Sequence, residues 1–253
     1  MASWSNKELL SLCKSKISCE EKLFNIEQCI FAIPERLKLI DIAATQVDSS
    51  VRSVIESMEL DEYVLIDQVL GVAKEKVNIE ISHARFKGLI NLDFIIQSLH
   101  CCCEMLAHLI NLILIGDKKN HYLYTTSEKL SKNGDFSELA KMISKLLESE
   151  GFKYIAAYTN ESKHRQLIQV RHTADIDDYL VVTRFTRKGN AFPQKWNTDI
   201  TNSIVKEIRH KIVLVGNENN TSLLRKTFTD KNNFCTTENL EALCAAQRWI
   251  DIF

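Results

Sequence analysis

The sequence predicts a mainly α protein, a helical bundle carrying a short β-hairpin insertion at about residues 165–188. Three observations predict it. The 253 residues include only 7 Gly and 2 Pro, too few for the many tight turns of a β-sandwich or barrel. Hydrophobic residues make up 45% and charged residues 26%, the balance of an ordinary globular chain long enough for one large domain or two small ones. Apolar residues recur near every 3.6 positions along most of the chain and alternate only between about 167 and 188.

Each element has its own signal. Ser5 with Glu8, and Ser18 with Glu21, form capping boxes that open two helices. Pro34 is expected to end the second and start a third, which carries Leu37, Ile40, Val47, Val51 and Ile55. A further helix is expected from Asp61 to about Phe86, with Gly88 separating it from the most apolar stretch, Leu89–Ile115. Gly116 to Asp135 is polar and reads as loop or frayed helix. FSELAKMISKLLESEG is a clean amphipathic helix stopping at Gly151, and FKYIAAYTNESKHR follows as another. LIQVRH and YLVVTRFTRK then read as two strands joined by the acidic turn TADIDD, with Lys188-Gly189-Asn190 as the exit. Asp199 opens a helix that the polar run Asn217–Asn220 interrupts, and Thr237–Ile252 forms a tail helix. The expected organisation is a helical region over 1–86 and a bundle over 87–253, or one continuous domain.

Several function classes lose support. No GxxxxGK[ST] or GxGxxG occurs, so the usual phosphate cradles are missing. A net charge of −1 leaves any nucleic-acid contact local. The 8 Cys include the consecutive Cys101, Cys102 and Cys103 and no CxxC pair, which reads as reduced thiols of a cytoplasmic protein. Neither GxSxG nor a Cys in an activating setting is present. The polar start MASWSNKELL predicts no signal peptide. Leu89–Ile115 carries Asp93, His100, Glu104 and His108, so it reads as a core helix and not a membrane span.

Two polar clusters stand out. Asn160, Lys163 and His164 are spaced i, i+3, i+4 and share a helix face next to Arg165. Such donors suit a phosphate or carboxylate, with Arg as bidentate clamp and His as a proton-transfer group near neutral pH. The same residues also suit a solvated helix end, cations placed against the C-terminal dipole. His100, Glu104 and His108 form a polar stripe at i, i+4, i+8. His100 and His108 are about 12 Å apart along the axis, so the three cannot close around one metal ion. No metal or cofactor is expected there. Glu104 is instead expected to pair with a cation of a facing helix, such as Lys163 or Arg165, or to sit as a satisfied core residue. Arg184, Arg187, Arg209 and His210 are a weaker basic set, ordinary surface on their own.

The run N-x-x-K-H-R at Asn160–Arg165, on a helix followed by a hairpin-like insertion and another long helix, resembles HEPN-like proteins over about residues 88–225. These are α-helical bundles of prokaryotic toxin–antitoxin, abortive-infection and other defence systems. Many resemble metal-independent ribonucleases that act as homodimers, with an R-x(4–6)-H motif at the dimer cleft. Arg165 and His172 have six residues between them, while His164 precedes Arg165. The resemblance implies RNA as substrate, His164 or His172 assisting proton transfer, Arg165 and Lys163 stabilising charge on phosphorus, and Glu104 orienting them. The other reading is a non-catalytic helical interaction protein, a scaffold or antitoxin-like chain whose hairpin docks a protein partner. Neither reading involves a membrane.

Overall fold

Long apolar periodicities produce long helices. The computed structural model describes residues 6–116, 122–164 and 168–230, with His164 and residues 224–230 described through the backbone alone. Helices α1 (Asn6–Lys16), α2 (Glu20–Ser57), α3 (Val64–Val69) and α4 (Glu75–Ile110, extended by a π-helical turn Asn111–Ile115) come first. They are followed by α5 (Leu123–Ser131), α6 (Ser137–Glu148) and α7 (Glu150–His164). Five short strands come next, β1 (Val170–His172), β2 (Leu180–Val182), β3 (Phe185–Arg187), β4 (Asn190–Phe192) and β5 (Lys195–Trp196). A π-helical entry Asp199–Ile204 then leads into α8 (Val205–Asp230). The protein is therefore mainly α, a helical bundle with a small β insertion. Ser5, Arg165 and the expected tail helix Thr237–Ile252 lie outside the described residues.

The helices join two units that interleave in sequence. One comprises Met1–Ile30, Ala107–Ser144 and Val213–Phe253, the other Phe31–Leu106 and Lys145–Ile212. In the first, Leu9, Ile26, Ile30, Ile110, Leu139 and Ile143 are fully or nearly fully buried. Asn111 is buried among them, and its amide donates to Ala107 O at 2.9 Å and to Thr126 Oγ1 at 2.6 Å, which offsets the cost of its burial. Gly116 closes the preceding helix at φ 78°, its N–H reaching Asn111 O at 2.7 Å.

In the second unit the insertion is larger than one hairpin. β2 is the central strand of an antiparallel sheet ordered β1-β2-β5, while β3 and β4 form a separate hairpin. Thr183 and Arg184 break what the sequence suggests is one strand. Lys188 and Gly189, at φ 48° and 81°, form the two-residue turn of the second hairpin and do not serve as an exit. The insertion is anchored at Tyr179, 1% exposed, whose hydroxyl donates to Val47 O of α2 at 2.7 Å. The buried Asn197 amide donates to Asp177 O at 2.7 Å and its carbonyl accepts from Leu180 N at 3.0 Å. Arg209 of α8 forms a two-pronged ion pair with Asp41 of α2, and Arg52 pairs with Asp177.

Four expected boundaries fall inside helices; the expected stop at Gly151 is the second residue of α7. Pro34 lies within α2, flanked by the buried Ile33 and Leu37, so packing outweighs the lost N–H bond. Gly88 lies within α4 because Tyr179 packs against its bare Cα; a Cβ there would sit 2.0 Å from the hydroxyl oxygen. Asn219 and Asn220 lie within α8 and are buried, so that polar run is a packed face and not a break. The expected Asp61–Phe86 helix is instead divided between α3 and α4.

Candidate functional site

Helices α4 and α7 run antiparallel, fixed at two points. Tyr158 donates its hydroxyl to Asp93 Oδ1 at 3.0 Å, and His100 stacks on Phe152 with ring centroids 6.2 Å apart. Moving up α4 therefore means moving down α7. Lys163, about one and a half helical turns past Tyr158, comes level with the stretch just before Asp93.

There Lys163 forms one wall of an open groove of about 410 Å³. Its floor is the outer face of α4, with Ile90, Phe94 and Cys101; Asp93 and Gln97 lie along it, and Arg36 of α2 stands on the other wall. Two cations thus flank a largely apolar floor bearing one carboxylate. Burial, then the charge of Asp93, raises the Tyr158 hydroxyl well above its ordinary range, so it stays protonated and donating.

The acidic partner of the stripe is local. Glu104 Oε2 lies 3.8 Å from Nδ1 of His100, on the same helix. His100 is 7% exposed and its Nδ1 makes no hydrogen bond. Burial lowers its pKa; Glu104 opposes this, and Lys163 and Arg187 add to the lowering, so the ring is neutral at neutral pH. By the α4–α7 register Glu104 is about 20 Å further along the axis than the level of the Lys163 backbone. The carboxylate that shares the Lys163 groove is Asp93.

The other candidates take separate places. The Asn160 amide donates to Ala156 O at 2.7 Å, and Arg187 from β3 donates to the same carbonyl at 2.9 Å. That shared acceptor, with Tyr154 and Tyr158 edge-on to Phe185 at 5.6 and 6.2 Å, docks the β3–β4 hairpin onto α7. His164 ends α7, and its side chain and all of Arg165 lie outside the described residues. His172 is exposed on β1, paired with Leu180, its pKa lowered by partial burial and by Arg85. Arg209 is engaged by Asp41. Among the described residues no group of His, Cys, Asp and Glu could hold a metal ion.

Sequence reasoning overlooked Arg36 and Asp93 as site residues. Asp93 carries a signal, a charge in the middle of the most apolar helix; Arg36 carries none. Glu75–Ile115 is long and apolar enough to cross a membrane by composition, yet 67% of its most apolar window is buried within the protein, as in a core helix. Comparison of the chain with known protein families, characterised proteins and solved structures gives no match.

Proposed function

We propose that this protein is a HEPN-like, metal-independent ribonuclease, a toxin-type effector of a prokaryotic defence system that acts as a homodimer on RNA. The observation that supports it is the delivery of Lys163, at the end of α7, onto the outer face of α4 opposite Arg36. Two cations facing one groove in a protein of net charge −1 make a local site for a phosphodiester.

The chemistry in this reading is transesterification. The RNA 2′-oxygen attacks the adjacent phosphorus while His164 or His172 takes its proton. The P–O5′ bond breaks, a protonated His returns a proton to the leaving 5′-oxygen, and a 2′,3′-cyclic phosphate remains. Lys163 and Arg165 hold the extra negative charge on phosphorus as it develops. Asn160 and Glu104 act from behind, positioning α7 and His100. RNA cleavage by the purified chain in EDTA is expected, with a loss of 100-fold or more in His164→Ala and Arg165→Ala, the scale of losing a proton-transfer or charge-stabilising group. Full activity in both variants ends this reading.

A second reading has its own observation. Around α3, Tyr63, Val69, Leu70 and Val72 are each at least 59% exposed, next to Asp61, Glu62 and Asp67. An apolar patch ringed by acids suits a non-catalytic interaction protein that docks a partner. RNA left intact by the wild type, in EDTA and in Mg²⁺ alike, favours this reading over the first.

A further inference from the structure

The groove beside Lys163 carries a polar pattern that a phosphate alone does not use. Asp93 and Gln97 are spaced i, i+4 on α4 and both line it. Gln97 Nε2 donates to Asp93 Oδ2 at 2.7 Å. A carboxylate cannot donate, so the amino end of the amide must face it and the amide oxygen must turn away. That oxygen, Oε1, accepts from none of the described residues. Tyr158 donates to Asp93 Oδ1 at 3.0 Å. A carboxylate has about four acceptor sites, so Asp93 keeps acceptor capacity beyond these two bonds. The pair therefore turns two neighbouring acceptors, and no donor, toward the groove.

Each part of the groove narrows its occupant. Neighbouring acceptors require an edge with two adjacent donors. Arg36 and Lys163 on the walls form no ion pair with a carboxylate of the described residues. Like charge disfavours a guanidinium or ammonium as the donor edge between them, and favours a neutral edge on a molecule that carries negative charge elsewhere. A floor of Ile90 and the Phe94 ring suits a flat aromatic body.

We propose that the groove binds a guanine nucleotide, with the base N1–H on Asp93, the N2 amino group on Gln97 Oε1, and Arg36 and Lys163 reaching the phosphates on either side of the nucleoside. Of the four RNA bases, guanine alone sets two donors side by side on its Watson–Crick edge. Adenine and cytosine set one amino group beside an acceptor, and uracil sets one N–H between two carbonyls. Each of those would turn an acceptor onto Asp93 or Gln97 and leave it unpaired. Cleavage of RNA next to guanosine rests on the ribonuclease reading; binding of the nucleotide does not.

Isothermal titration calorimetry of the full chain with guanosine 3′,5′-bisphosphate tests this. Saturable binding is expected, with the adenosine compound about a hundredfold weaker because both acceptors lose their donors. The inosine compound, which lacks only the N2 amino group, should bind about tenfold weaker. Gln97→Leu should weaken the guanosine compound about tenfold and leave the inosine compound unchanged, an asymmetry that loss of support for Asp93 would not produce. Arg36→Gln and Lys163→Gln should each weaken the bisphosphate several-fold and leave guanosine itself unchanged. No binding at millimolar concentration, equal affinity for the adenosine and guanosine compounds, or Gln97→Leu acting alike on the guanosine and inosine compounds overturns the proposal. So does an arginine-rich peptide that binds where the nucleotide does not, the mark of a protein partner's groove. RNA cleaved without regard to base sinks the guanine assignment and leaves the ribonuclease reading standing. A guanine-selective groove in a chain that leaves RNA intact supports the assignment and ends that reading, so the two failures are distinct.

Discussion

Gly88→Ala tests the seating of the β insertion on the helices. An alanine Cβ would lie 2.0 Å from the Tyr179 hydroxyl oxygen and 2.8 and 2.9 Å from two ring carbons. The ring cannot swing aside, because Tyr179 is 1% exposed and its hydroxyl is held by Val47 O. Forcing a methyl into such a contact costs about 1–3 kcal/mol. Breaking the hydroxyl–carbonyl bond costs about 1 kcal/mol more. Against this, alanine gains about 1 kcal/mol over glycine inside a helix. The balance is a loss of about 2 kcal/mol, or a fall in Tm of roughly 4–8 °C for a chain of this size. Urea unfolding followed by circular dichroism measures it. Tyr179→Phe alone should cost about 1 kcal/mol. In that background Gly88→Ala should cost less than in the wild type, because the ring is no longer tethered and the closest atom is gone. Gly88→Ala as stable as the wild type, or more stable, refutes the packing, since only the helix gain would then remain.

Two further outcomes follow from buried titratable groups. His100 has a lowered pKa in the folded protein, so between that value and its ordinary one near 6.5 the unfolded chain binds more protons. Stability should therefore fall as pH drops below about 6.5, and His100→Phe, which keeps a ring on Phe152, should flatten that slope in urea titrations from pH 7 to 5. Burial pushes the Cys13 and Cys102 thiols up to about 11 and about 12. At pH 8 iodoacetamide should alkylate the exposed Cys19 within minutes and leave these two unmodified until denaturant is added, read by peptide mass spectrometry; fast native labelling of Cys102 contradicts its burial.

What the sequence disclosed and what it withheld divide along a physical line. Helix content follows from local periodicity, so α6 and α7 are legible to within two or three residues, although the glycine expected to part them lies inside α7. Boundaries at Pro34, Gly88 and Asn217–Asn220 were expected from local propensity, and in each case burial or a distant contact decides otherwise. The burial of Ile33 and Leu37 accompanies an α2 that continues through its proline. Tyr179, ninety-one positions away, is what makes a glycine fit in α4. The second hairpin was hidden because its turn, Lys188-Gly189, resembles an exit until the pairing of Phe185 with Phe192 is known.

The site divides in the same way. The residue types at the end of α7 are visible in the sequence, but which carboxylate they meet depends on the register of α7 against α4, which no local pattern encodes. The Tyr158–Asp93 bond and the His100–Phe152 stack set it; Lys163 then shares a groove with Asp93, while Glu104 lies 3.8 Å from His100. A helix apolar all round is either enclosed on every side or keeps a face for something else. The most apolar stretch reads as a buried core helix, whereas in the structure its Ile90 and the neighbouring Phe86 remain more than half exposed.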